Sequence, residues 1–371
     1  MVYFDNAATT QIDRRVVDRM TEVLLNNYGN PSSKYYSLAL DSIKLLKKSR
    51  ETIAKILGVN SDEIIFNSGA SEGNNQVIKG IGLFNKNCHI LSSKVEHHSS
   101  MEALKQVEEL GTEITYLNVN ETGQINPEDL KNAIQENTKL VSLIAINNEI
   151  GTRNDIEEIS KICSEKKVLL HLDVTQLIGK EKLDFSKINV DYLTFSAHKF
   201  YGPKGVGILY IKRNSYGLVP DFYPVISGSQ EDDLRGGTYC LHNIVGMAEA
   251  LRLISEESND YKKYMSRLDG YFLNKINELN IVLNGFNELN RVLGIFNLRL
   301  SGINNEIFIK ENAKEFAIST GSACSLNSPS HVLEAIGLNK FEIRNSIRIS
   351  LGKYNTIDEI DNFFEVLKRY I

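Results

Sequence analysis

Between about residue 63 and about residue 196, short apolar runs alternate with segments of helical spacing. The runs are Glu63–Phe66, His89–Ser93, Leu140–Ile146, Val168–Asp173 and Tyr192–Phe195. Strands buried on both faces read as nearly continuous apolar stretches. Strand and helix in alternation call for a mainly parallel sheet with helices on both sides. Such sheets hold ligands just beyond the carboxyl ends of their strands. The residues that follow each run are therefore where chemistry is to be sought.

After the last run comes Ser196-Ala-His-Lys-Phe-Tyr-Gly-Pro-Lys-Gly205, then a second apolar run, Val206–Ile211. Lys199 sits past a strand end beside a hydroxyl and an imidazole. It is either an ordinary loop lysine or an amine that forms a Schiff base once deprotonated. One strand earlier, His171-Leu-Asp-Val-Thr-Gln176 ends its run on Asp173 and Gln176. Pyridoxal 5′-phosphate needs a lysine for its aldehyde and a carboxylate that keeps its pyridine nitrogen protonated. Lys199 and Asp173, at successive strand ends, could supply both from one pocket.

Other strand ends carry polar words that leave two readings open. Asn67-Ser-Gly-Ala-Ser-Glu-Gly-Asn74 opens a helix. Its free N–H groups suit a phosphate, or Ser68 or Ser71 is a plain helix cap. His97 and His98 form a surface pair, or one imidazole stacks on a cofactor ring and moves protons. Asn147-Asn148 is a turn pair, or one amide meets a ligand oxygen. Arg348, in Asn345-Ser-Ile-Arg-Ile-Ser350, is a structural ion-pair partner or a fork for a substrate carboxylate, with Arg344 as a competitor. Cys324, in Thr320-Gly-Ser-Ala-Cys324, is an inert small residue or a loop thiolate able to attack.

Composition narrows the partners. The chain has 371 residues, 42% of them apolar and 24% charged, with a net charge of −5. Mild acidity argues against a broad nucleic-acid footprint. No apolar run approaches the ~20 residues of a membrane span. The opening residues lack the pattern of a signal peptide. The four cysteines, at 88, 163, 240 and 324, show no paired spacing, so neither a disulfide framework nor a zinc site is expected. A reducing cytoplasm is the expected location.

The words around Gln176, Lys199 and Cys324 together resemble those of cysteine desulfurases, fold-type I pyridoxal-phosphate enzymes of the class-V aminotransferase family. The resemblance runs from about residue 3 to about residue 365. It implies an α/β fold with a mainly parallel seven-stranded sheet in a large domain (15–255), plus a smaller α+β domain (1–14 and 256–371) that carries the cysteine loop. It implies Lys199 on the cofactor aldehyde, Asp173 on the ring nitrogen, His97 stacked on the ring, and Gln176 and Asn148 near the phenolic oxygen. Ala70, Ser71, Ser196 and His198 would hold the phosphate. Thr238, in Ser227-Gly-Ser-Gln-Glu-Asp-Asp-Leu-Arg-Gly-Gly-Thr238, would reach across a homodimer to the other copy's phosphate. The pair Asp232-Asp233 is more acidic than this loop resembles elsewhere. Arg348 would take the carboxylate of L-cysteine, and Cys324 would accept sulfur as a persulfide for an acceptor protein, an iron–sulfur scaffold or a tRNA-thiolation enzyme. Within the same cofactor class a selenocysteine lyase or an aminotransferase is the alternative, and a catalytically spent scaffold protein is a further one. Transamination needs no thiol at Cys324, and a spent scaffold needs no set of Lys199, Asp173, His97 and Arg348.

Overall fold

The computed structural model describes residues 1–85, 87–181, 184–220, 223–321 and 329–371. Among them lie the strands β1 (Val2–Tyr3), β2 (Ile64–Asn67), β3 (His89–Ser93), β4 (Glu113–Leu117), β5 (Thr138–Ile144), β6 (Leu169–Asp173), β7 (Tyr192–Ser196), β8 (Gly207–Ile211), β9 (Val282–Leu283), β10 (Ile295–Arg299), β11 (Phe316–Ala317) and β12 (Ser346–Ser350). Seven of the described strands form the central sheet, in the order β2-β8-β7-β6-β5-β3-β4. Its pairings are parallel except at β8, which runs against both β2 and β7. The tight Gly202–Gly205 turn returns the chain at once beside β7, which forces the reversal; a parallel neighbour would need a long crossover.

The apolar runs are explained by two cores on opposite faces of this sheet. Along β8, Ile208 and Tyr210 enter one core, while Leu209 and Ile211 enter the other. Leu140 and Val141 of β5 divide in the same way, as side chains alternate across a strand. Helices α1 (Arg14–Asn26), α2 (Ser37–Leu57), α3 (Ala70–Phe84), α4 (His98–Glu109), α5 (Pro127–Ala133), α6 (Ile156–Lys166) and α7 (Leu241–Glu256) pack around it. Gly58 stops α2 in the left-handed conformation, at φ 74°, a position glycine takes without steric cost.

A third apolar core gathers Met265, Leu268 and Phe272 of α8 (Ser258–Glu278), Phe296 of β10, Ile347 and Ile349 of β12, and Phe363 of the helix Ile357–Leu367. The N-terminal Phe4 joins it, stacked on Phe316 and edge-on to Phe363. Burial of Phe4 fixes the first residues, so that Asp5, Ala7 and Ala8 reach the carboxyl ends of the sheet strands. No helix among the described residues is long and apolar enough to cross a membrane.

Candidate active site

Every parallel strand of the sheet ends on the same edge, and polar side chains cluster there. Asp173 closes β6 and is buried. Its carboxylate accepts from Asn74 Nδ2 at 2.8 Å and from the Thr175 amide at 3.0 Å. Lys199 follows β7, and its Nζ donates to the carbonyls of Ala7 at 2.6 Å and Ala8 at 2.7 Å. His97 caps α4, with its Nδ1 accepting from the Ser99 amide at 3.1 Å. Burial holds the His97 pKa below the usual value, with the Asp173 charge pulling it up and the Lys199 charge pushing it down. The amine, the acid and the imidazole thus lie within electrostatic reach of one another.

The amino end of α3 forms one wall of a cavity of about 370 Å³, lined by Thr9, Gly69, Ser71, Ser196, His198 and Lys204 among others. Ser196 Oγ accepts from the Ala70 amide at 2.7 Å, which ties α3 to the end of β7. The approach is close: a Cβ on Gly207 would sit 2.5 Å from Phe195 O and 2.6 Å from Gly69 Cα. His198 is held at Thr9 Oγ1, and burial followed by the nearby Lys199, Lys204 and Lys180 drives its pKa down to about 4. A neutral imidazole remains there at pH 7. Ser71 is exposed on the rim.

Gln176 is buried, donates through Nε2 to Ala7 O at 2.8 Å and accepts from Lys180 Nζ at 2.7 Å. Asn147 and Asn148 divide their tasks. Asn147 is structural, donating to Val95 O and accepting from the amides of Glu149 and Ile150. Asn148 is half-buried, and its carbonyl accepts from Arg348 Nη1 at 3.1 Å. Arg348 is the largest fully buried side chain among the described residues. Its Nη2 pairs with Asp5 Oδ1 at 2.7 Å, Nη1 also donates to Gly321 O, and Nε has no partner among the described residues. Cys324 lies outside the described residues.

Thr238 is exposed and lines a separate cavity of about 130 Å³ with Ser68, Gly205 and Glu231. The acidic stretch before it takes an unusual path: Glu231, Asp232 and Asp233 all adopt left-handed backbone, at φ 51°, 54° and 64°. Buried Glu231 anchors that turn, accepting both terminal nitrogens of Arg50 (2.8 and 2.6 Å) and the Phe66 amide at 2.9 Å. Arg235 then ties the loop to Glu72 at the start of α3.

The residues present fit pyridoxal 5′-phosphate. The buried carboxylate suits a protonated ring nitrogen, Lys199 faces the same strand ends, and the amino end of α3 presents the close backbone approach a phosphate needs. Arg348 Nε, without a partner among the described residues, is a charged donor suited to an anion. Reading single words did not single out Asn74, Ser99 or Lys180, which bond directly to this set, or Thr194, which bonds to Asn74. Among the described residues no cluster of three or more His, Cys, Asp or Glu could hold a metal.

Comparison with known proteins agrees. The model of the aminotransferase class-V family matches residues 2–363. The cysteine desulfurase IscS of Dictyoglomus turgidum is 40% identical, covering all of this chain and 94% of its own. The mitosomal cysteine desulfurase of Trachipleistophora hominis is 39% identical over 97% of this chain and 83% of its own. Among solved structures, a NifS-like protein superposes with a TM-score of 0.92 at 34% identity, covering 100% of this chain and 98% of that one. A structure of SspA in complex with cysteine gives 0.80 at 32% identity, covering 96% and 100%. With strand ends, helix start and full-length likeness in accord, the chain belongs to the class-V aminotransferase family and, within it, to the cysteine desulfurases, enzymes that use pyridoxal 5′-phosphate.

Proposed function

We propose that the protein converts L-cysteine to L-alanine and passes the sulfur, as a persulfide on Cys324, to an acceptor protein. The observation that carries this reading is the meeting of Lys199, Asp173 and His97 at or beyond the carboxyl ends of β7, β6 and β3, with Arg348 buried and its Nε without a partner among the described residues. The relative solved with cysteine bound supports the substrate.

When bound, the cofactor supplies a cationic ring that takes up the electron pair released at the substrate Cα. Asp173 holds the proton on the ring nitrogen, and its two hydrogen bonds fix its orientation. Lys199 holds the aldehyde end, and the Ala7 and Ala8 carbonyls aim its Nζ. Ala70, Ser71, Ser196 and His198 grip the phosphate, and Thr238 serves the phosphate of the second copy in a homodimer. Gln176 and Asn148 face the phenolic oxygen. Arg348 fixes the substrate carboxylate, and His97 covers the ring and moves a proton. The Cys324 thiolate attacks the substrate sulfur. A sulfur–sulfur bond forms as the carbon–sulfur bond breaks, with that electron pair going to the carbon that becomes the alanine methyl group.

The same reading takes residues 15–255 as the large domain and 1–14 with 256–371 as the small one, and places the enzyme in the cytoplasm. The acceptor is an iron–sulfur scaffold or a tRNA-thiolation enzyme. Incubation with L-cysteine while each type of acceptor is added in turn tests this. Alanine release should rise with a genuine acceptor, and sulfur should appear on it. Alanine output that no acceptor of either type changes would contradict the transfer role.

A further inference from the structure

A chain of hydrogen bonds of fixed direction runs beneath the site. Asp173 can only accept as a carboxylate, so the end of Asn74 that faces it at 2.8 Å must be the NH₂ group. The second hydrogen of that group goes to Ser99 Oγ at 3.0 Å. Asn74 Oδ1 accepts from the Thr194 hydroxyl. Thr194 Oγ1, having given its proton, accepts from His171 Nε2 at 3.1 Å, and His171 Nδ1 accepts from Ser142 Oγ at 2.8 Å. Burial drives the His171 pKa down to about 4, in keeping with a neutral ring that donates at one nitrogen and accepts at the other.

The other branch ends on His97. Its Nδ1 lies 2.8 Å from Ser99 Oγ and accepts from the Ser99 amide at 3.1 Å. An amide N–H can only donate, so Nδ1 carries no proton when the ring is neutral. Ser99 Oγ already accepts from Asn74, which leaves its own hydrogen for Nδ1. Asn74, buried and seven residues along from the start of the helix word, therefore spends one amide hydrogen on Asp173 and the other on Ser99, the residue that holds His97.

We propose that Asn74 is a positioning residue: its amide fixes the Asp173 carboxylate and, through the Ser99 hydroxyl, holds the His97 imidazole in its Nε2–H form. Any proton His97 moves then passes through Nε2. The inference rests on the desulfurase reading for its consequence, though not for its geometry. The titratable groups facing His97 are Asp173, Lys199, His98 and His331, and Ser99 is the link whose removal leaves all four in place.

The test is nitrogen NMR of ¹⁵N-histidine-labelled holoenzyme, read beside the pH titration of the cofactor's visible absorption. In the wild type, neutral His97 should carry its proton on Nε2. Ser99→Ala should move the His97 Nδ1 resonance in the direction of a weaker hydrogen bond, since the hydroxyl donor is lost and only the backbone amide remains, and leave the absorption titration unmoved. Asn74→Leu should move both, and lower kcat about 10–100-fold with KM nearly unchanged, as expected for one charge-assisted hydrogen bond lost away from the substrate. A proton on Nδ1 of neutral His97 in the wild type would overturn the proposal. So would a Ser99→Ala protein whose Nδ1 resonance stays where it was, a result that can be read even if Asn74→Leu does not fold. Failure of the desulfurase reading would look different: no alanine from L-cysteine, whatever the tautomer.

Discussion

Lys199 and Gln176 donate to the same acceptor, the Ala7 carbonyl oxygen, at 2.6 and 2.8 Å. A glutamine amide donates at one end and accepts at the other. Its orientation here is set by Lys180, whose Nζ donates to Gln176 Oε1 at 2.7 Å. In Lys180→Met that constraint disappears, and the amide is left held by the Ala7 carbonyl alone. The expected result is about tenfold weaker retention of pyridoxal 5′-phosphate, the cost of roughly one hydrogen bond. Titration of the apoprotein with cofactor, followed by visible absorption, measures it.

Lys180 also carries a pH signature. Burial, with the Lys199 charge added, brings its pKa down to about 7, while an unfolded lysine titrates near 10.4. Between those values the unfolded chain binds the extra proton, so stability contributed at this position rises as pH increases from 7 toward 10. Thermal unfolding of wild-type and Lys180→Met apoprotein at pH 7 and pH 9 should show the wild type gaining on the variant at pH 9. The opposite trend would mean that Lys180 stays charged in the fold.

Arg348 presents a fork whose Nε has no partner among the described residues. Lysine in its place keeps a positive charge but loses the planar pair of donors. Arg348→Lys should raise KM for L-cysteine about 10–100-fold and change kcat less, because the carboxylate is bound in ground and transition states alike. Steady-state alanine production over a range of cysteine concentrations separates the two constants.

Glu231 tests what holds the Thr238 loop. Its buried carboxylate neutralises Arg50 through two hydrogen bonds and caps the Phe66 amide. Glu231→Gln leaves Arg50 partly buried without its counter-charge and should lower stability by about 2–4 kcal/mol in denaturant unfolding. Asp233→Gly, at an exposed position with φ 64°, should instead raise it by about 0.5–1 kcal/mol, since glycine takes left-handed backbone without steric cost.

Much of this fold is written in its apolar runs. Leu140–Ile146 and Tyr192–Phe195 had to be sheet interior, because both of their faces are apolar, and each face packs into its own core. The reversal at β8 is less visible, since it depends on how tightly the Gly202–Gly205 turn closes. In the site, residues at strand ends stood out because position alone marks them. Asn74 and Thr194 did not, as each reads locally as helix or strand filler. A signal was nevertheless present: Thr194 and His171 lie inside strands buried on both faces, where a polar group demands a partner. Asking what Thr194 and His171 bond to leads directly to Asn74.

The central claim is that Lys199 and Asp173 serve one cofactor in an enzyme that takes sulfur from L-cysteine and loads it on Cys324. The most direct measurement is single-turnover incubation of the holoenzyme with L-cysteine without oxygen, followed by quantification of alanine and mass analysis of the cysteine-bearing peptides. The account predicts about one alanine per active site and one added sulfur atom on the peptide containing Cys324, with both lost in Lys199→Ala and in Cys324→Ser, the latter keeping its bound cofactor. Alanine formed by the Lys199→Ala protein at the wild-type rate, or sulfur loaded on a different cysteine in the wild type, would contradict it.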